Sequence, residues 1–275
     1  MGEFGGERKW IGERESGPEK PDIVKSPERG KKLSELSEAE EKIVNELESI
    51  YRGNRETFKR VSEKKENVDK VLALMKKQVP EIEPDSAERV LNAFIKRVPE
   101  KNISLVIFPA IESINETNIM REKAEETKQL KPLKIKLNLE GLKRPIDYPG
   151  ARNPINCDLT IRGNCGDNLG YKMRGGVVKN EGNAGDKAAK KMRGGELYIF
   201  GNAGKGIAKG MEKGKLYVFG DVIGFDSSAF REENKGRIFQ WKEAEGKKEL
   251  KQIWPKEEKP SFAKATEGEV KKELA

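Results

Sequence analysis

The chain has 275 residues, of which 37% are charged and 35% are apolar or cysteine, and its formal net charge is +8. This apolar share is below that of a typical globular protein, so parts of the chain are expected to lie outside a packed core. The chain has no histidine and only two cysteines, which removes the commonest general base and leaves too few ligands for a zinc site. No apolar run reaches the roughly 18 residues of a membrane span. We expect a cytoplasmic protein without a cofactor.

Composition divides the chain into four segments. Both ends, 1–33 and 243–275, are rich in Lys, Glu, Pro and Gly and are predicted to be disordered tails. Residues 34–130 show helical periodicity and are predicted to form an N-terminal helical arm. Its apolar stripes are narrow, which favours docking on another surface over independent folding. Residues 131–242 are predicted to form a parallel β-helix, for reasons that the repeats below supply.

Helix signals recur along the predicted arm. A capping box that starts at Ser37 predicts the first helix, and a second helix is predicted over 55–78. A third helix is predicted to be capped by Asp85 together with Glu88. The apolar run 103–108 is strand-like, and a helical or frayed segment is expected after it.

Three consecutive windows of the chain share one template with a 19-residue period. Each window opens with Gly-Asn-small-Gly, carries a methionine ten positions after the first glycine, and carries another glycine three positions later, before a strand-like run. The defining residues are Gly163, Gly182 and Gly201; Asn164, Asn183 and Asn202; Met173, Met192 and Met211; and Gly176, Gly195 and Gly214. Such a period is typical of a solenoid, in which each repeat buries its apolar face against its neighbours.

The fold predicted from these repeats is mainly β: a short parallel β-helix with 19-residue coils, an N-terminal α-helical arm and disordered tails. The methionines should share one buried column, and the glycines before the strands should supply positive φ at tight corners. The asparagines are predicted to form a ladder of stacked side-chain amides. A cation site using Asp167, Asp186 and Asp221 is the weaker alternative, because Lys205 follows the first two in the same column.

The order Gly-Asn-Ala-Gly, Met-Arg-Gly-Gly and aliphatic strand resembles a known glycine-rich repeat. That repeat occurs in the C-terminal domain of the glutamate synthase large chain and in one of the subunits of formylmethanofuran dehydrogenase. The resemblance covers roughly residues 159–224, with departures at Asn180, a normally aliphatic position, and at Lys213, where the neighbouring repeats have glycine. It implies a right-handed parallel β-helix that is non-catalytic and holds the catalytic parts of a redox enzyme together. It assigns no catalytic, cofactor-binding or metal-binding residue.

A basic column is the first candidate binding feature. Residues 163–219 contain eleven Lys or Arg and five Asp or Glu, so the repeats carry +6. In the predicted coils Lys172 stacks on Lys191, and Arg174 stacks on Arg193. Like charges about 5 Å apart repel each other. This candidate anion patch would therefore attract an anion, nucleic acid or an acidic protein, whereas the plainer interpretation is a solvated basic face.

An aromatic column is the second candidate feature. Tyr198 and Phe200 recur as Tyr217 and Phe219 on the opposite parity to the aliphatic residues of the same runs. If the aliphatic residues fill the core, these four rings face outward and should be covered by the helical arm or by a partner protein. In the alternative register, the phenylalanines turn inward at a corner.

The function predicted from the sequence is that of a non-catalytic scaffold or interaction subunit with a protein partner. The alternative is a basic module that binds nucleic acid or another polyanion. An enzyme that uses carboxylates and lysines alone is disfavoured, because the chain lacks histidine. The resemblance alone implies that the chain is the non-catalytic part of an oxidoreductase complex.

Overall fold

A computed structural model describes residues 35–63, 67–124, 131–244 and 247–255. The helices are α1 (Glu38–Gly53), α2 (Arg55–Ser62), α3 (Val68–Lys76), α4 (Ala87–Arg97) and α5 (Ser104–Ala124). The strands are β1 (Leu133–Asn138), β2 (Cys157–Arg162), β3 (Val177–Asn180), β4 (Arg193–Ile199), β5 (Lys213–Val218), β6 (Arg237–Ala244) and β7 (Lys247–Trp254). The predicted tail 1–33 lies outside these ranges.

The strands β1 to β6 pair in parallel and in chain order, and β7 then pairs antiparallel with β6. Leu159 pairs with Val178, Val178 with Leu197, and Leu197 with Leu216, so each of these steps advances the chain by one 19-residue repeat. The first step is longer, because Leu133 pairs with Cys157. The predicted parallel β-helix with 19-residue coils is therefore confirmed, and it starts at β1 with one longer coil.

Side chains of one parity fill the interior of the coils. Leu159, Val178, Leu197 and Leu216 form one registered row, and each is at most 1% exposed. The predicted methionine column is also confirmed, because Met173, Met192 and Met211 are all buried. The methyl group of each methionine lies against a glycine of the next coil, at the place that a Cβ atom would need. The glycine of each coil thus leaves room for the methionine of the coil before it, which explains why both residues recur in the repeat.

The asparagine column exists, but its hydrogen bonds differ from those predicted. The Oδ1 atom of Asn164 accepts from the backbone N–H of Asn183 at 2.9 Å, and Oδ1 of Asn183 accepts from the N–H of Asn202 at 2.8 Å. Asn202 bonds Asp221 in the same way. Each asparagine side chain therefore bonds a backbone N–H of the next coil, and the side-chain amides do not form a ladder with each other. A Cβ atom on Gly201 would collide with Oδ1 of Asn183, which explains the glycine beside each asparagine.

The aspartates form a parallel column with the same chemistry. Oδ1 of Asp147 accepts from the N–H of Asp167, Oδ1 of Asp167 from that of Asp186, and Oδ1 of Asp186 from that of Lys205. These carboxylates satisfy backbone donors, so the column is structural. Among the residues that the structure describes, no group of three or more Asp, Glu, Cys or His side chains could hold a metal ion.

The helical arm differs from its prediction at three places. The capping box of α1 is present, but the predicted helix 55–78 is divided into α2 and α3. The side chain of Asp85 does not cap α4, whose N-cap is Ser86 without a side-chain bond. The predicted strand 103–108 is wrong, because this run is the buried beginning of α5. A short run that is apolar except for Ser104 has no periodicity that separates a buried helix from a buried strand.

The C-terminal boundary of the β-helix also needs correction. The tail predicted from residue 243 starts too early, because β6 extends to Ala244 and β7 continues to Trp254. The charged composition of β7 suggested a solvated tail, but backbone pairing with β6 holds it in the sheet. Residues 256–275 of that predicted tail lie outside the described ranges.

The arm packs on the first coil. Side chains of α4 occupy the edge of β1 that β2 leaves open: Nδ2 of Asn92 donates to the Lys136 carbonyl and its Oδ1 accepts from the Asn138 N–H, both at 2.7 Å. Glu88 accepts from the Lys136 N–H at 3.2 Å. The arm therefore closes a sheet edge that would otherwise be open to pairing with another chain.

Candidate interaction surfaces

The outer face of the last three parallel strands carries a ladder of six aromatic rings in two columns. Tyr198, Tyr217 and Phe239 form the first column, with successive ring centroids 4.5 Å and 4.8 Å apart. The second column contains Phe200, Phe219 and Trp241, with successive centroids 5.0 Å and 5.7 Å apart. We call these six residues the aromatic ladder. Strand pairing sets the spacing, because registered residues of paired strands lie about 4.8 Å apart; Trp241 is tilted by 42° against Phe219, and the other pairs within the columns are stacked.

The ladder faces outward, as the parity of its residues predicted. The aliphatic neighbours in β4 and β5 are fully buried, whereas Tyr198 and Phe200 are half-buried. Tyr217 and Phe219 are each 4% exposed, and each lies between two other rings of its column. The alternative register, in which the phenylalanines turn inward, does not occur, because the Tyr198 and Phe200 rings stack on the same face with centroids 6.4 Å apart.

The faces of the central rings are occupied by their neighbours, and the exposed part of the ladder belongs to its four end rings, Tyr198, Phe200, Phe239 and Trp241. Tyr198 and Tyr217 are stacked with an interplanar angle of 8°, and Tyr217 and Phe239 with an angle of 11°. Tyr198 also donates its hydroxyl to Glu196 at 2.5 Å. Burial, followed by this hydrogen bond, raises the pKa of Tyr198 above its ordinary value. Stacking of a sugar or a nucleobase needs a free ring face, so the interior of the ladder is unsuited to it.

Two ladder members, Phe239 and Trp241, were not predicted from the sequence. Tyr217 pairs with Phe239, so the step from β5 to β6 is longer than 19 residues. Phe239 and Trp241 therefore do not fall at the positions that the repeat predicts. A signal was nevertheless present, since the run from Arg237 to Trp241 alternates in the same way as β4 and β5.

The helical arm covers other parts of the solenoid. Among the described elements, the close helix–strand packing joins α4 to β1. The helices α3 and α5 reach the solenoid through ion pairs, from Asp69 to Lys172 at 2.5 Å and from Glu112 to Arg174 at 2.8 Å. The ring contacts of the ladder, within the described ranges, are with other rings of the solenoid. A lid formed by the helices is therefore not what buries the central rings.

The candidate anion patch is divided between two roles. Lys172 and Arg174 bond acidic residues of the helical arm, so their acidic partner belongs to this chain. Arg193 pairs with Glu212 of the next coil at 3.3 Å, and both side chains are about half exposed. Lys191 is exposed on the same face. The structure thus brings the four predicted cations to one face, with two of them at the junction with the arm.

The two cysteines and Asn180 are buried in the solenoid. Both cysteines are free and buried, and burial, with a smaller contribution from Asp158, raises the pKa of the Cys157 thiol to about 12. Burial also raises the pKa of Cys165, whose Sγ donates to Oδ1 of Asn180 at 3.2 Å. Asn180 donates to the carbonyls of Gly182 and Asn183. The amide at a normally aliphatic position is therefore satisfied within the core.

Comparisons of the chain with protein-family models, with curated proteins and with solved structures found no match. In the part of the chain that the structure describes, no helix is long and apolar enough to cross a bilayer.

Proposed function

We propose that this chain is a non-catalytic scaffold that binds a protein partner through its aromatic ladder. The observation that carries the proposal is the ladder itself, six stacked rings on the outer face of three consecutive coils. Rings that are held on a sheet and stacked on each other lose little conformational entropy on association, and aromatic residues commonly anchor protein interfaces.

The surroundings of the ladder fit an interface with a polar rim. In the column next to Tyr198 and Tyr217, the outer face carries Glu196, Lys215 and Arg237 in register. Glu196 pairs with Lys215 at 3.3 Å, and both are partly exposed. An apolar centre with charged residues at its margin is the usual arrangement of a protein–protein contact.

The same face is polar in the earlier coils. The column that contains Tyr198 continues toward the N-terminus as Lys179, Thr160 and Lys136. In the described strands, the rings of this face lie on the coils nearest the C-terminus, so a partner should bind toward that end. By the resemblance of the repeats, the partner would be a catalytic subunit of a redox enzyme of the glutamate synthase or formylmethanofuran dehydrogenase kind.

Binding of a polyanion is the second candidate, favoured by the recurrence of cations in successive coils. Two observations rank it lower. Lys172 and Arg174 already bond the helical arm, and the stacked rings offer few free faces to nucleobases. Steep weakening of binding with salt would mark this alternative, because each phosphate contact releases counterions.

Affinity purification of the full chain from its native cells tests the scaffold proposal. The double variant Tyr198→Ser with Phe200→Ser removes the half-buried end of the ladder and should lose the co-purifying partner. The matched control, Lys134→Ser with Lys179→Ser, changes two exposed residues in the polar part of the same face and should retain it. Retention by the ring variant, or equal loss by the control, would contradict the proposal.

A further inference from the structure

A cleft of about 220 Å³ lies where the helical arm meets the solenoid. Four of its lining residues are cations: Arg152, Lys172, Arg174 and Arg193, which come from three successive coils. The fifth is Asp69 of α3. This cleft is separate from the aromatic ladder, and a ligand bound in it would be independent of the proposed scaffold function.

The carboxylates around the cleft do not neutralise its cations. Glu112, whose side chain is 8% exposed, is shared by Arg174 at 2.8 Å, Lys76 at 3.5 Å and Arg152 at 3.8 Å. Asp69 is taken by Lys172. Lys76 is also paired with Glu116 at 2.6 Å, so Glu112 is left as the carboxylate of two cations, Arg152 and Arg174. One positive charge therefore stays in excess within a part-enclosed site, where the field on an incoming anion is strong.

The second observation is the backbone conformation of two of the cations. Arg152 has a φ of 58° and Lys172 a φ of 51°, both in the left-handed region. The N–H groups of Lys172 and Lys191 bond the next coil in the same way, and Gly210 continues this position with a φ of 61°. Glycine adopts this conformation without strain, whereas arginine and lysine do not. This left-handed position recurs in four successive coils, and a basic side chain occupies three of its four copies, Arg152, Lys172 and Lys191, of which the first two line the cleft.

We propose that this cleft binds a small phosphate-bearing anion, of which the diphosphate group is the fitting class. The guanidinium groups of Arg174 and Arg193 would hold the anion, since the planar fork of arginine matches phosphate oxygens. Arg193 lines the cleft and pairs with Glu212, whose side chain is 52% exposed, so an anion can replace this glutamate as its partner. A space of about 220 Å³ equals that of roughly seven water molecules, which suits a small anion and not a polymer.

Isothermal titration of the full chain with inorganic pyrophosphate, in about 0.15 M salt, tests the site. We expect saturable binding with one anion per chain. Arg193→Gln should weaken it about tenfold, and this variant leaves the contacts of the helical arm intact because the ion pair of Arg193 lies within the solenoid. Arg174→Gln with Arg193→Gln should weaken it further.

The control Lys134→Gln with Lys179→Gln removes two positive charges from the outer face and should bind pyrophosphate as the unaltered chain does. Equal weakening by this control would show diffuse attraction and would overturn the proposal, as would the absence of heat at millimolar pyrophosphate. A parallel titration with duplex DNA tests the competing hypothesis that the cations bind a nucleic acid. Tighter binding of DNA, lost steeply with salt, would replace the small-anion site with a nucleic-acid surface.

Discussion

Left-handed residues recur at fixed positions of each coil, two apart. In the third coil they are Lys187, Ala189 and Lys191, with φ values of 59°, 57° and 55°. Their N–H groups are not free, because each bonds a carbonyl of a neighbouring coil. This face of the solenoid is therefore built from an alternating backbone that no propensity scale for strands or helices describes. The corner glycines were predicted correctly, but the sequence holds no signal for lysines in the left-handed region.

Replacing Lys187 with glycine should stabilise the chain. The same position in the next coil is Gly206, which has a φ of 66°, so glycine fits the fold there. Relief of the left-handed strain, reduced by the greater freedom of glycine in the unfolded chain, should raise the free energy of unfolding by about 0.5–1 kcal/mol. Urea unfolding measures this. Lys179→Gly, in the middle of β3, should instead lower it, and a loss in both variants would show that backbone strain at Lys187 is negligible.

Gly195 combines a positive φ with close contacts. Its φ is 79°, in the region that the sequence predicted, and a Cβ atom there would lie 2.6 Å from both the Gly176 carbonyl oxygen and the Cε atom of Met173. Gly195→Val should therefore lower the free energy of unfolding by at least the roughly 1–3 kcal/mol of a strained backbone position. Gly206→Ala has a similar φ but its nearest atom would be 3.5 Å away, so it reports strain alone. If both variants lower the thermal unfolding midpoint equally, the close contacts of Gly195 with Gly176 and Met173 contribute nothing.

At the scale of elements, the arm and the solenoid were predictable to different degrees. The 19-residue phase predicted β3, β4 and β5 because each coil repeats the same corner and core residues. The helix α5 was not predictable from its first residues, since these residues, apart from Ser104, are apolar up to Pro109 and show no helical periodicity. Nor could β7 be predicted, because its stability depends on pairing with β6 and not on its own apolar content.

Asn92 makes two hydrogen bonds at the junction of α4 with β1, and Glu88 makes a third. Asn92 bonds both a carbonyl and an N–H group on the open edge of β1, so Asn92→Ala leaves two backbone groups to find water. We expect a loss of about 1–2 kcal/mol in the free energy of unfolding, and faster hydrogen exchange at the Asn138 amide. Lys96→Ala, an exposed residue of the same helix, should change stability by less than about 0.5 kcal/mol. An unchanged exchange rate at Asn138 in the Asn92 variant would mean that other contacts hold the edge.

At the scale of the whole molecule, the arm and the solenoid share one core. The buried apolar cluster runs from Val44 in α1 to Ile238 in β6. The narrow stripes of the helices predicted docking, but the residues that join the arm to the basic face are acids spread over α3 and α5. The sequence shows them only as ordinary helix-surface charges. Which cations of the solenoid pair with the arm therefore follows from tertiary structure alone.

Glu112 should be the main electrostatic contact between the two parts. It lies on α5, is 8% exposed and contacts Arg152 and Arg174 of the solenoid. Glu112→Gln would leave these guanidinium groups facing each other without a counter-charge. Removing one partner of a fully buried pair costs about 3–5 kcal/mol. Because Arg174 is 40% exposed, water should screen part of this, and we expect a loss of about 2 kcal/mol in the free energy of unfolding.

The matched control lies one turn further along the same helix. Glu116 pairs with Lys76 at 2.6 Å but is 54% exposed, so Glu116→Gln should cost no more than about 1 kcal/mol. Chemical unfolding followed by tryptophan fluorescence, to which Trp241 and Trp254 of the solenoid contribute, and by helical circular dichroism should remain a single transition in both variants, since one core links the parts. If Glu112→Gln instead separates the two signals, the ion pairs hold the arm to the solenoid more than the shared core does. If it costs no more than Glu116→Gln, the arm is held by apolar packing, and the cations of the cleft do not need this carboxylate.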